Sequence, residues 1–245
     1  MSRVLYLLFG LAAYLIFFAT FLYLVAFVGD VPGVPRTVDR GPEAGLGAAL
    51  VIDLALIALF GVQHSVMARP GFKAGWTRVV PPPVERSTYV LFASLALIIL
   101  FAFWRPLPTV VWQIDNPVGA AIMWTLFAAG FAIVLVSTFL LSHFELFGLK
   151  QVWMNLRGRT AQSLALSQPL FYRLVRHPLY AGFFIAFWAT PQMTLGHLLF
   201  ATGMSIYMLI AIPYEERDLV AHFGSDYEDY RRRVGMLTPR LRRRA

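Results

Sequence analysis

Four apolar stretches in this sequence are each long enough to cross a lipid bilayer as a helix, which needs about 20 apolar residues. They are residues 4–28, 46–66, 88–104 and 118–142. A fifth apolar region, 179–213, contains Thr190-Pro191 and Gly196, and proline ends or kinks a helix. We therefore predict a hairpin there, with arms 179–189 and 195–213. The sequence predicts an all-α, polytopic membrane bundle of five to six spans with a broken C-terminal hairpin.

The composition excludes several other classes of protein. Of the 245 residues, 58% are hydrophobic and only 14% are charged, whereas soluble domains carry about 25% charged residues. The run 4–28 is too long for the apolar core of a signal peptide and is not followed by a small-residue cleavage site, so we interpret it as the first span. The chain has no cysteine, which excludes disulfides, thiolate metal sites and cysteine nucleophiles.

The basic residues predict the orientation of the chain. With a cytoplasmic N-terminus, all but three of the 21 lysines and arginines fall in cytoplasmic segments, as the positive-inside rule requires. The three exceptions are Arg36, Arg40 and Arg105. Seven arginines lie near the C-terminus: Arg231, Arg232, Arg233, Arg240, Arg242, Arg243 and Arg244. Such a cluster beside a span typically meets anionic lipid. We therefore predict an even number of crossings in a bacterial inner membrane, both termini cytoplasmic, and membrane lipid, not nucleic acid, as the partner.

The segment after the hairpin is predicted to be a cytoplasmic amphipathic tail of two short helices within residues 214–234. Gly224 ends the first helix, and the Ser-Asp-Tyr-Glu sequence that begins at Ser225 matches a capping box opening the second. Tyr227, Tyr230 and Val234 share one helical face. We expect this face to fold back on the spanning helices.

Titratable residues gather at the predicted cytoplasmic ends of the spans. They are His64, His143, His177, Glu145, Glu215 and Glu216. Ionisable groups between helices at one membrane face indicate a functional site, and interfacial anchoring with helix capping is the alternative explanation. A metal site formed by His143, Glu145 and His64 has no recognised ligand spacing, so no metal is predicted.

The motif Arg176-His177-Pro178-Leu179-Tyr180-Ala181-Gly182 opens the hairpin. Pro178 suits the first helical turn, where free N–H groups favour an anion. Arg176 adds a positively charged fork that suits carboxylates, and Gly182 permits close approach of a ligand or another helix. The alternative is an ordinary basic anchor before a helix.

This motif and a second block of residues after the hairpin resemble a known family. The second block contains Glu215, Glu216, Leu219, Phe223-Gly224, Tyr227, Tyr230 and Val234. Together the two blocks resemble the C-terminal part of the isoprenylcysteine carboxyl methyltransferase-like membrane family. That resemblance implies S-adenosylmethionine, held at the cytoplasmic face between the hairpin and the tail helices. It also implies one domain, residues 1–245, with four spans in 1–142 and the cofactor-binding loop, hairpin and tail in 143–245.

Four further segments narrow the resemblance. They are Gln63–Pro70, Glu85–Tyr89, Ser142–Leu149 and Phe187–Pro191. They are similar to those of the bacterial methanethiol S-methyltransferases, so that nearly the whole chain is covered. The implied substrate is a small volatile thiol: methanethiol, giving dimethyl sulfide, or hydrogen sulfide, giving methanethiol. No obligate protein partner is expected.

The resemblance implies the following site residues. For the cofactor they are Arg176, His177, Tyr180, Gly182, Glu216, Tyr227 and Tyr230. We expect Arg176 and His177 to meet the cofactor carboxylate and Glu216 its amino group or ribose, with the two tyrosines at the adenine. Glu215 is expected to pair with an arginine.

The implied methyl transfer needs a thiolate, and a thiol with a pKa of roughly 8.5 is mostly protonated at neutral pH. A base or a positive potential is therefore needed, and His64 and His143 are the candidate bases. Arg86, next to Glu85, either closes the pocket from the third span or forms a salt bridge between loops.

Three other functions remain as alternatives. One is carboxyl methylation of a prenylated cysteine. A second is a nicotinamide-dependent sterol reductase, whose comparable motif differs at Leu179 and Phe183. The third is a non-enzymatic membrane transporter or a denitrification-associated factor.

Several polar and aromatic residues lie away from this predicted site. Asp53, inside the second span, is expected to form a hydrogen bond between helices. His197 is expected at the interface and His222 on the surface. Trp104, Trp112 and Trp188 suit interfacial belts, and Trp188 is a candidate for lining a substrate path.

Overall fold

The computed structural model describes residues 2–159 and 166–240; Arg242, Arg243 and Arg244 of the arginine-rich tail lie outside them. The helices are α1 (Arg3–Val28), α2 (Leu46–Ala68), α3 (Pro70–Trp76), α4 (Pro82–Phe103), α5 (Pro117–Leu140), α6 (His143–Leu146), α7 (Leu149–Leu156), α8 (Pro178–Trp188), α9 (Leu195–Phe223) and α10 (Ser225–Arg233). The strands are β1 (Val110–Gln113) and β2 (Gln192–Thr194), and a 3-10 turn covers Leu170–Arg173.

Five helices are long and apolar enough to cross a membrane: α1, α2, α4, α5 and α9. They confirm the four predicted spans and the second arm of the hairpin. Large apolar side chains on their outer surface are exposed, such as Leu15 at 65% and Val51 at 70%. Apolar surface on this scale requires lipid as its solvent. The chain is therefore an integral membrane protein with the predicted helical bundle.

The hairpin turn is held by a small sheet that the sequence pattern did not predict. β2 pairs antiparallel with β1, which lies in the connection between α4 and α5. The backbone N–H of Ile114 also donates to the carbonyl of Pro191 over 2.8 Å. α8 has 11 residues, about 16 Å of helix, and residues 189–191 continue to the end of the bundle that carries β1. The chain from Pro178 to β2 therefore runs from one end of the bundle to the other, although α8 is shorter than the five long helices.

α8 can make this pass because it packs closely on α5. A Cβ on Gly130 would lie 2.7 Å from the carbonyl oxygen of Gly182, and one on Gly182 would lie 2.7 Å from that of Gly130. Small residues allow such close approach of membrane helices. Pro178 occupies the first turn of α8, as predicted, with His177 at its N-cap.

Two predictions about the C-terminal helices need correction. α9 runs through Pro213 as one helix of 29 residues, since a membrane helix tolerates proline where its surroundings satisfy the freed carbonyl. Gly224, with φ of 58°, ends α9 as predicted. Gly224 is also the N-cap of α10, so Ser225 is the first residue inside that helix and not its cap. No side-chain hydrogen bond caps the start of α10. The predicted capping box is therefore wrong.

The end of the bundle that carries β1 contains buried polar groups with structural roles. Asp53 is fully buried and accepts a hydrogen bond from the backbone N–H of Arg105 over 2.9 Å, which confirms a structural bond. His197 is buried, with its Nε2 2.9 Å from the carbonyl of Phe187, so its predicted interfacial position is wrong. Trp104 is only 1% exposed and belongs to the core, not to an interfacial belt.

Candidate active site

Three predicted site residues bond to one another at the end of the bundle opposite β1. Glu216 Oε1 lies 2.7 Å from Arg176 Nε and 3.1 Å from His177 Nε2. All three side chains are at most 10% exposed. A buried carboxylate requires partners of this kind, and the cluster joins the start of α8 to the last turns of α9.

Arg176 also holds the tail. Its Nη1 donates to the carbonyls of Arg231 and Val234, and its backbone N–H donates to the carbonyl of Gly235 over 2.8 Å. The backbone N–H of His177 donates to the carbonyl of Met236 over 3.1 Å. These bonds fix the segment after α10 against the start of α8.

The tail helix packs through the predicted face. Tyr227, Tyr230 and Val234 are buried together, and the hydroxyl of Tyr230 donates to the carbonyl of Tyr172 over 2.6 Å. Burial raises the pKa of Tyr230 to about 12, and burial together with the charge of Glu216 raises the pKa of Tyr227. The expectation that the tail folds back is confirmed, and its two tyrosines are neutral groups at that contact.

Glu215 has a different partner from the one expected. The hydroxyl of Tyr180 donates to its Oε2 over 3.0 Å, and His177 Nδ1 lies 3.9 Å from the same oxygen. The expected arginine pairs with Glu216 instead, because adjacent helical residues point about 100° apart. Glu215 is 42% exposed, so it remains accessible to a ligand.

His64 lies at the end of α2 among aromatic rings. Its Nε2 is 2.9 Å from the hydroxyl of Tyr89, and the ring of Phe60 stacks on it with centroids 5.2 Å apart. Its Nδ1 is buried with no hydrogen-bond partner among the described residues. A buried ring nitrogen without a protein partner is uncommon, and an ordered water, a ligand or a proton-transfer role accounts for such an atom.

Tyr207 completes this aromatic group and was missed by the sequence reasoning. A Cβ on Gly61 would lie 2.8 Å from Cδ2 of Tyr207, so Gly61 makes room for this ring beside His64. The sequence carries one signal for Tyr207: it lies eight residues before Glu215 on α9, and this spacing places both side chains on the same side of the helix. The charge of Glu215 acts on the phenols of Tyr89, Tyr180 and Tyr207, which connects the His64 group to the Arg176 cluster.

Two arginines contribute positive charge on the side of the bundle that holds His64. Arg69 and Arg86 both act on its ring electrostatically. Arg86 lies 5.0 Å from the ring centroid of Tyr89 and donates to the carbonyl of Leu146 over 2.7 Å, so it joins α4 to α6 without pairing with Glu85. Arg69 pairs with Asp218 of α9 over 2.7 Å. Arg86 therefore bonds a backbone carbonyl and not a carboxylate of another loop, and the closing of the pocket by Arg86 stays a prediction.

His143 lies between α1 and α5, and Phe147 packs between it and the cluster that contains Tyr89. Its Nε2 is 2.8 Å from the hydroxyl of Tyr14 and its Nδ1 is 2.8 Å from Oγ1 of Thr138, while the ring of Phe139 stacks on it at 4.1 Å. Both nitrogens therefore have partners, and burial lowers its pKa. No contact joins it to His64 within the described residues.

The structure also places four other residues that the sequence analysis singled out. Glu145 pairs with Lys150 over 2.6 Å, and the described residues contain no group of three potential metal ligands. Gly182 faces Gly130, so the close approach predicted for it is that of a helix. His222 is exposed as expected, and Trp188 donates to Ser205 Oγ over 3.0 Å.

The structure defines a class of protein: a polytopic helical membrane protein with five long apolar helices and a cluster of titratable groups at the end of the bundle opposite β1. The sequence model of the family described as NnrU protein matches residues 53–239. The chain is 54% identical to the methanethiol S-methyltransferase of Mycobacterium tuberculosis over 98% of both chains. It is 53% identical to methanethiol S-methyltransferase 1 of Bradyrhizobium diazoefficiens over 95% of this chain and 81% of that protein.

A more distant relative is Nurim of Homo sapiens, 30% identical over 86% of this chain and 87% of that protein. No solved structure matches the chain. The chain belongs to the NnrU family and, within it, to the group of membrane methyltransferases named methanethiol S-methyltransferase.

Proposed function

We propose that this protein transfers a methyl group from S-adenosylmethionine to methanethiol, giving dimethyl sulfide, with hydrogen sulfide as the alternative acceptor. The observation that carries the proposal is the 54% identity, over 98% of both chains, to a protein named for this reaction. The site at the end of α2 is consistent with it, because His64 has a buried nitrogen to which none of the described residues bonds.

His64 is the proposed general base. Its Nε2 lies at the hydroxyl of Tyr89, which fixes the ring and leaves Nδ1 to take the thiol proton. S-adenosylmethionine would supply the methyl group to this thiolate and would leave as S-adenosylhomocysteine. Arg69 and Arg86 add positive potential, which favours the thiolate and opposes a lasting positive charge on His64, so the proton has to leave His64 after the transfer. The surrounding rings exclude water from the reacting sulfur.

The described residues fit S-adenosylmethionine, which supplies an electrophilic methyl group on a sulfonium. Glu215, partly exposed and next to Tyr180, is suited to the amino group. The ring faces of Tyr180 and Tyr207 are suited to the sulfonium, since cations bind aromatic faces. His177 Nδ1, near Glu215, is suited to the carboxylate or ribose.

The other residues predicted for the cofactor are proposed to hold the site in shape without touching the cofactor. Arg176 and Glu216 bond to each other, and Tyr227 and Tyr230 pack the tail, so together they hold the wall of the cofactor site. Gly182 keeps α8 close to α5. We also propose that both termini are cytoplasmic in a bacterial inner membrane and that residues 1–142 and 143–245 form one domain.

Expression of the protein in bacteria that make no dimethyl sulfide tests the proposed function. With methanethiol in the medium, dimethyl sulfide should accumulate in the headspace gas, and cells carrying the empty vector should give none. Methylation of farnesylcysteine by the same membranes, without dimethyl sulfide, would show that the acceptor is a prenylated cysteine. Failure of the detergent-purified protein to bind S-adenosylhomocysteine would favour a transporter.

A further inference from the structure

A groove lies on the bilayer-facing surface between α1 and α4, away from the candidate active site. Its volume is about 460 Å³. Apolar residues of both helices line it, among them Ile16, Ala19 and Tyr23 of α1 and Ile98 of α4. Ile16 and Ile98 are 38% and 40% exposed, so the groove opens sideways to the surroundings of the bundle, which in a membrane are lipid chains.

The end of the groove toward β1 carries a cation. Arg36, from the connection between α1 and α2, is part of the lining. Its Nη1 is buried and has no hydrogen-bond partner among the described residues. Tyr23 holds the backbone there, because its hydroxyl donates to the carbonyl of Arg36 over 2.9 Å.

The neighbouring acidic groups are committed to other partners. Asp30 pairs with Arg40 over 2.8 Å and accepts a hydrogen bond from Thr37. Asp39 accepts a hydrogen bond from Thr194. Arg36 therefore keeps an unbalanced charge at the mouth of an apolar groove, and leaving a buried donor unsatisfied is costly.

We propose that this groove binds one anionic phospholipid of the leaflet at the β1 end. An acyl chain lies along Ile16, Ala19 and Ile98, and the phosphate accepts hydrogen bonds from the guanidinium of Arg36. The planar fork of arginine matches phosphate oxygens, and basic pockets between membrane helices bind anionic headgroups. One amphipathic ligand thus accounts for both the apolar groove and the unsatisfied cation.

Native mass spectrometry of the full chain, titrated with dioleoylphosphatidylglycerol, tests this site. The unmodified protein should bind one molecule in preference to dioleoylglycerol, which has the same chains and no phosphate. Arg36→Gln should weaken phosphatidylglycerol binding roughly tenfold, as expected for the loss of one charge-assisted hydrogen bond. Its binding of dioleoylglycerol should not change.

Three variants separate this site from general effects. Ala19→Phe fills the groove and should abolish binding of both lipids, whereas Ala128→Phe, at an exposed position of α5, should not. Arg105→Gln removes a positive charge at the same end and should leave binding intact. The proposal would be overturned if Arg36→Gln bound phosphatidylglycerol as well as the unmodified protein does, with both proteins binding S-adenosylhomocysteine normally. It would also be overturned if Arg36→Gln and Arg105→Gln lost phosphatidylglycerol binding to the same extent.

Discussion

Arg176 and Glu216 form a buried ion pair across 40 residues of sequence, with Nε and Oε1 2.7 Å apart. The same guanidinium bonds two carbonyls of the tail. The pair therefore joins α8, α9 and the tail at a single point, and the proposed cofactor wall depends on it.

Arg176→Ala should release the tail and weaken S-adenosylhomocysteine binding. Removing one partner of a buried pair costs about 3–5 kcal/mol, because Glu216 keeps a buried charge. Calorimetry measures the binding, and limited proteolysis measures cleavage after residue 223. Arg231→Ala is the matched control, since Arg231 lies 3.9 Å from the same carboxylate and is half exposed. Equal cleavage of the two variants would contradict this role of Arg176.

His64→Ala should keep S-adenosylhomocysteine binding and lose turnover. A positioned general base contributes about 10²–10⁴-fold in rate, and a small thiol has to ionise unaided without it. The residual rate should therefore rise steeply with pH up to the thiol pKa. The rate of dimethyl sulfide formation between pH 6 and pH 9 measures this. A fully active His64→Ala protein would show that another group takes the proton.

Tyr89→Phe separates orientation of His64 from packing around it. The variant keeps the ring and removes the hydroxyl that lies 2.9 Å from Nε2. We expect a lower kcat with unchanged S-adenosylhomocysteine affinity and unchanged thermal stability. Steady-state kinetics and a thermal melt measure these quantities. A fall in cofactor affinity equal to the fall in kcat would instead place Tyr89 at the cofactor.

His143 should govern stability rather than turnover at acid pH. Burial lowers its pKa below the ordinary 6.5, so between the two values the unfolded chain binds more protons than the folded one. This contribution to stability is present above pH 6.5 and is lost as the pH falls below it. His143→Gln should flatten the dependence of Tm on pH between 5 and 7. If Tm depends on pH in the same way in His143→Gln as in the unmodified protein, groups other than His143 cause that dependence.

Gly182→Ala tests the close contact of α8 with α5. The new Cβ would lie 2.7 Å from the carbonyl oxygen of Gly130, and overpacking of this kind costs about 1–3 kcal/mol. A fall in Tm is expected. Gly47→Ala, in α2, is the control, because a Cβ there meets nothing within 4 Å. If Gly182→Ala lowers cofactor affinity and not Tm, Gly182 faces the cofactor.

The sequence predicted the parts of the fold that depend on local pattern. Span lengths, the hairpin, the end of α9 at Gly224 and the buried face of Tyr227 and Tyr230 are all set by residues close together in the chain. The pairing of β1 with β2 was missed because short strands of three and four residues carry no clear alternation.

The candidate site was only partly predictable for a related reason. Which of two adjacent carboxylates meets Arg176 depends on the rotation of α9 against α8. His143 was grouped with His64 because both lie near span ends, yet its partner Tyr14 is 129 residues away. Tyr207 reaches His64 only because Gly61 leaves space, and a sequence does not show which helix faces a glycine.

The most direct test of the central claim uses detergent-purified protein with S-adenosylmethionine whose sulfonium methyl group carries deuterium. Mass spectrometry of the headspace after addition of methanethiol should show dimethyl sulfide with one labelled methyl group, formed in proportion to S-adenosylhomocysteine. His64→Ala should give far less of it at neutral pH. Protein that binds S-adenosylhomocysteine and yields no labelled dimethyl sulfide would contradict the account.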